Sequence, residues 1–195
     1  MARLLNWRGH PKSGQLKLIS LFTKNTSSLT AAARALYATI VNQSREPGFF
    51  TIWGIPDTPN GRFEVLALHF FLVMHRMRGD KNCVKLARSL SEQAVLDIDR
   101  NLREMGVGDL SVGRKVKSLT EGLYGRLSVY ADGMAGEDGS LGEELRRNLF
   151  SEVEAENWVV QAAELYLRRE RNSLLAWGTV DLLAGRVSFG KGPVA

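Results

Sequence analysis

The stretch Asp97–Tyr130, DIDRNLREMGVGDLSVGRKVKSLTEGLYGRLSVY, decides the fold. With Val95 just before it, Ile98, Leu102 and Met105 recur at steps of three and four, so they share one apolar stripe of a helix. Gly106 and Gly108 can end that helix, because a glycine just past a helix takes the left-handed conformation at little cost. Asp109 or Ser111 is placed to cap a second helix, whose stripe is Val112, Val116, Leu119, Leu123, Leu127 and Tyr130. Two helices therefore fold back on each other across a glycine corner.

Working outward, Asn60 or Gly61 opens a helix through about Arg78 that is apolar nearly all round, which suits the centre of a bundle. Thr26, Ser27 and Ser28 offer caps for an earlier helix through about Ser44, stopped by Pro47-Gly48. Between them, Phe49, Phe50, Ile52, Trp53 and Ile55 lie among the breakers Gly54, Pro56, Pro59 and Gly61. That pattern predicts an aromatic loop which either packs inward or binds something. Downstream, Gly133, Gly136, Gly139 and Gly142 suggest a joint. Leu141–Phe150 and Ala155–Glu170 read as further helices, with Leu174, Leu175 and Trp177 either continuing the last one or folding back. No strand pattern is convincing. The expectation is an all-α, single-domain bundle of about six to seven helices over 26–180, with a basic, partly flexible arm at 1–25, a hinge near 133–142 and a C-terminal tail at 181–195.

Composition narrows the classes. A hydrophobic content of 44% and a charged content of 24% are ordinary for a globular domain, and 195 residues suffice for a real core. The single Cys83 excludes an intrachain disulfide framework. The best apolar run, Val65–Met74, contains His69 and is half of the ~20 residues a membrane-crossing helix needs. Charge is uneven: seven basic residues and no acidic one precede Glu46, so the net +5 belongs to the arm. Such an arm suits a transit peptide, anionic lipid, RNA phosphate or a solvated tail, but not a secretory signal, because charges interrupt its apolar runs.

No catalytic constellation is visible. His69 and His75 fall on different faces of one helix, and neither HExxH nor CxxC occurs, so no metal site and no cofactor are expected. Gly185–Gly192 matches G-x-x-x-x-G-K but has Gly where a phosphate loop needs Ser or Thr, and too little chain follows to form a helix, which argues against nucleotide binding. Arg114, Lys115 and Lys117 occupy the first turns of the second hairpin helix, where the macrodipole already disfavours positive charge.

The motifs Asp99-Arg-Asn-Leu-Arg-Glu-Met-Gly106, Gly108-Asp-Leu-Ser-Val-Gly-Arg-Lys-Val-Lys117 and Tyr124-Gly-Arg126 follow Leu36-Tyr37, Gly54-Ile-Pro-Asp-Thr58, Gly61-Arg-Phe63 and Leu68-His69 in order. Across roughly Leu36–Tyr130 this pattern resembles the ubiquinol–cytochrome c chaperone family. The resemblance implies a non-enzymatic assembly chaperone that holds newly made cytochrome b, without a small-molecule substrate. The client's apolar helices would call for a groove, for which Phe49, Phe50, Trp53, Phe63, Leu66 and Phe70 are candidates, with Met74 and Met77 as adaptable edge contacts. The resemblance also implies a place near the ribosome, with Arg114, Lys115, Lys117 and Arg126 meeting rRNA phosphates or an anionic membrane surface, and it leaves open a small partner protein. Because the resemblance starts close to the N-terminus, a presequence would be short. The expected location is the bacterial cytoplasm beside the inner membrane, with the mitochondrial matrix as alternative. The competing reading is a helical RNA-binding or peripheral membrane adaptor without chaperone activity, which would lack an open apolar cleft.

Overall fold

The computed structural model describes residues 13–136 and 140–194, with side chains described from residue 27 onward. The elements are α1 (Ser13–Ser44), the single turn α2 (Gly48–Thr51), α3 (Pro59–Met77), a 3-10 turn (Lys81–Cys83), α4 (Val84–Glu104), α5 (Asp109–Ala135), α6 (Ser140–Arg147), α7 (Asn157–Leu175) and the short α8 (Thr179–Leu183). Six helices have eight residues or more and there is no strand among the described residues, in line with the expected all-α bundle.

The central position of α3 follows from its sequence. Thr58 is extended at the N-cap and its Oγ1 accepts from the amide of Gly61 at 3.0 Å, with Pro59 just inside the helix. Val65, Ala67, Leu68, His69, Phe70, Phe71, Leu72 and Val73 are all buried, so every face needs a partner. The partners are α1, α4, α5 and α7.

The α4–α5 hairpin forms as expected, with Gly106 at φ +80°. Its details differ in two places. Leu86, Leu90, Ala94, Ile98 and Leu102 make the buried stripe, while Met105 lies past the last turn and points out. The N-cap of α5 is Gly108, without a side-chain cap, because Asp109 is drawn to Arg103 at 2.7 Å and Ser111 Oγ donates to the Gly108 carbonyl. At the N-terminus, α1 runs through Thr26–Ser28 rather than starting there, since no proline or glycine interrupts it after Gly14. The rest of the basic arm, residues 1–12, lies outside the described residues. Gly133 and Gly142 are packing positions: a Cβ on Gly133 would sit 3.0 Å from Leu141 Cα, and one on Gly142 would collide with the Glu164 carboxylate.

Beyond α8 the chain is irregular yet firmly held. Gly190 donates its amide to Glu170 and Gly192 to Glu46, each at 2.8 Å, while Gln43 donates to the Gly190 carbonyl at 3.0 Å. The glycines that resemble a phosphate loop are therefore close-approach sites. A Cβ on Gly192 would lie 2.4 Å from Glu46, and one on Gly48 only 2.0 Å from the Pro193 carbonyl. Beneath this segment is a polar node. His69 Nδ1 donates to the Val65 carbonyl at 2.8 Å, its Nε2 accepts from Tyr166 Oη at 2.7 Å, and Gln43 donates to the same hydroxyl at 3.1 Å. Phe49, Phe189 and Tyr166 surround the imidazole edge to face.

Full burial pushes the His69 pKa down to about 4, opposed by its bond to Val65. A base depressed in the folded state stabilises above its ordinary value near 6.5 and loses that contribution as pH falls toward 4. Thermal melts should show a loss of up to about 3 kcal/mol across that window, and His69→Gln should flatten that part of the profile. Gly192→Ala should push the Glu46 carboxylate aside, and faster hydrogen exchange at the amides of residues 190 and 192 would reveal the loosened tail.

Candidate functional site

The structure divides the proposed groove residues. Phe49 and Phe70 are fully enclosed and Trp53 nearly so. Phe49 packs on Trp53 at 5.2 Å and on Tyr166 at 5.5 Å, and Trp53 packs on Tyr166 at 5.5 Å and on Phe150 at 6.5 Å. The aromatic loop is thus a core layer filling the gap between α3 and α7, and it offers no groove. Phe50, Phe63 and Leu66 are half-buried packing residues against the same core. Of the eight candidates, Met74 and Met77 are the two that line an open cleft.

That space is a cleft of about 570 Å³ at the C-terminal end of α3. Phe71, Met74, His75 and Met77 form one wall, the turn at Gly79–Lys81 closes the end, Val84 and Ala87 come from α4, and Leu127 and Ala131 from α5. Gly79 makes the turn at φ +83°, and Asp80 then caps the 3-10 turn by accepting from the Asn82 amide at 2.9 Å. Asp80 also accepts from Thr179 Oγ1 at 2.5 Å, which ties α8 to this corner and holds the carboxyl below its usual range. The cleft exists because small residues, Ala87 and Ala131, stand where α4 and α5 face the α3 methionines, and Val84 leaves 64% of its surface in solvent.

His75 is the one ring on this wall with a polar atom inside. Its Nδ1 is buried without a hydrogen-bond partner, and its Nε2 accepts weakly from Arg171 at 3.4 Å. Burial first, then Arg171 and Arg78, lowers its pKa, so the wall is uncharged near neutrality. Arg78, Lys81 and Asp132 edge the opening. An apolar floor, flexible thioethers and a charged rim suit an aliphatic or aromatic segment rather than a polar substrate.

The basic candidates also separate. Arg114 and Lys115 are exposed, and Lys117 is exposed with Glu121 at 3.8 Å. Arg126 is committed elsewhere: its guanidinium donates to both oxygens of Glu64 at 2.6 and 3.1 Å. Glu64 is 1% exposed and Arg126 26%, so this is an internal pair joining α3 to α5. Burial holds the Glu64 carboxyl above its usual range, and Arg126 offsets part of that. It is not a phosphate contact.

Among the described residues, the all-α bundle thus presents an open, largely apolar cleft at the end of α3. The chain matches the ubiquinol-cytochrome C chaperone family over residues 51–189, and it belongs to that family. It is 25% identical to the ubiquinol-cytochrome-c reductase complex assembly factor 1 of Xenopus laevis, over 82% of this chain and 80% of that one. It is also 25% identical to the Homo sapiens factor of that name, over 81% of this chain and 54% of the human one, so it spans about half of that relative. A crystal structure of the Cbp3 homolog from Brucella abortus superposes with a TM-score of 0.78 at 31% identity, covering 89% of this chain and 97% of that one. No helix among the described residues is long and apolar enough to cross a membrane.

The hydrogen-bonded Glu64–Arg126 pair gives a direct check on its structural role. Arg126→Met should cost about 3 kcal/mol in denaturant unfolding by leaving a buried carboxylate unpaired, and adding Glu64→Gln should recover part of it.

Proposed function

We propose that this protein is a non-enzymatic assembly chaperone that holds newly made cytochrome b during assembly of ubiquinol–cytochrome c reductase. The observation that carries the reading is the cleft bordered by Met74, Met77, Val84 and Leu127, in a member of this family. A membrane-protein client presents long apolar helices before its haem and partner subunits cover them, and an uncharged cleft with adaptable methionines shields such a surface without fixing one sequence. A cleft of about 570 Å³ takes only a few side chains of such a helix at a time, which suits a reversible hold. We place the protein on the cytoplasmic side of a bacterial inner membrane, a setting supported by similarity to the Brucella abortus structure. The mitochondrial matrix is the alternative.

Deleting the gene should lower assembled reductase and haem b while leaving terminal oxidase unchanged, and normal reductase levels would sink the reading. Ala87→Phe fills the cleft with apolar bulk. It should reduce crosslinking from the cleft rim to cytochrome b at least tenfold with little change in melting temperature; equal crosslinking would move the client site elsewhere.

A further inference from the structure

The apex of the α4–α5 hairpin is built unlike the rest of the surface. Leu110, in the first turn of α5, is 99% exposed, and Met105, just past α4, is 57% exposed. The corner backbone is uncovered as well: a Cβ added at Gly106, Gly108 or Gly113 would meet none of the described atoms within 4 Å. Among the described residues, the apex therefore presents both apolar side chains to solvent, where a broad, flat partner could meet them.

Its charges are arranged around those two apolar side chains. Arg114 and Lys117 lie one and two turns beyond Leu110 on the same face of α5, with Lys115 beside them. All three are exposed, and Lys117 has only Glu121 at 3.8 Å. The acidic groups at the apex are partly neutralised from within, since Arg103 holds both Asp99 at 2.8 Å and Asp109 at 2.7 Å. Glu104 is the exposed exception. Arg114 and Lys115 lie near the N-terminal end of α5, where positive charge gains nothing from the macrodipole, and Lys117 has a long i,i+4 contact with Glu121.

We propose that this apex is a membrane contact: Leu110 and Met105 enter the headgroup boundary of an anionic bilayer while Arg114, Lys115 and Lys117 pair with lipid phosphates. An apolar point inside a basic collar is the chemistry of interfacial lipid binding, in which burial of aliphatic carbon and attraction to anionic headgroups add. RNA satisfies only half of it. Ribose-phosphate would meet the cations, but a protruding leucine and methionine give it neither a stacking plane nor a hydrogen bond. The proposal is independent of what the cleft holds.

The test uses the purified full chain and vesicles of phosphatidylcholine with or without about 30% phosphatidylglycerol. Cosedimentation should occur with the anionic vesicles only and weaken as salt is raised. Met105→Ser with Leu110→Ser should reduce it about tenfold, and Arg114→Gln with Lys115→Gln and Lys117→Gln by at least as much. All five positions are exposed, so unchanged circular dichroism is expected. Because the N-terminal arm is also basic, a second readout isolates the apex: a bimane attached at Leu110→Cys in a Cys83→Ser background should shift to the blue and be quenched by lipid-borne nitroxide. An unshifted probe on vesicle-bound protein would overturn the proposal, as would vesicle binding that ignores the double serine variant. Loss of ribosomal RNA binding in the triple glutamine variant, with no vesicle binding by the parent, would assign the collar to RNA instead.

Discussion

A helix that is apolar on every side cannot rest on a surface, and α3 sets that constraint for the whole molecule. Eight of the nine positions from Val65 to Val73 are buried, with only Leu66 less enclosed, so this stretch is half a bundle core by itself. Covering them requires helices on four sides, which α1, α4, α5 and α7 supply. At the cleft, over the last turns of α3, that cover is thin, and it is thin because alanines stand opposite methionines. The opening is thus a property of residue size along two flanking helices.

Two polar arrangements fix which helix goes where. Hydrophobic burial alone would tolerate several placements of amphipathic helices around an apolar rod. Glu64 meets Arg126 only if α5 lies along one side of α3, and His69 meets Tyr166 only if α7 lies along another. Gln43 then draws α1 and the tail segment to the same hydroxyl and carbonyl. Each arrangement leaves a costly unpaired group if its helix shifts, which discriminates against wrong packings more than it adds to stability.

Periodicity made the helical content, the hairpin, Gly106 and the central place of α3 readable, because each rests on local spacing or on one residue's conformational freedom. The candidate site was less readable. Phe49, Phe50 and Trp53 looked like binding residues because breakers surround them, yet the helical turn at Gly48–Thr51 folds Phe49 and Trp53 inward onto Tyr166, over 100 positions away. Met74 and Met77 line the cleft at the end of α3 together with Phe71, Val84, Ala87, Leu127 and Ala131, which spacing along the chain did not single out. Ala87 and Ala131 are visible in the sequence, but reading them as an opening requires knowing which helix faces oppose. Arg126 shows the same limit. Its charge suggested a surface contact until a buried carboxylate on another helix claimed it.

The tail segment has a consequence for the order in which the chain acquires its structure. Glu46 and the amide it binds at Gly192 are separated by 146 residues. At about 5–20 residues added per second, the ribosome needs roughly 7–30 s to bridge that interval. During it, Gln43, Glu46 and His69 lack the groups that satisfy them in the finished core. The hairpin and α3 can associate with α1 while α7 is still being made, but the polar node closes only afterwards. Vectorial synthesis therefore yields a partial bundle first, and its final sealing is an event of the nearly complete polypeptide.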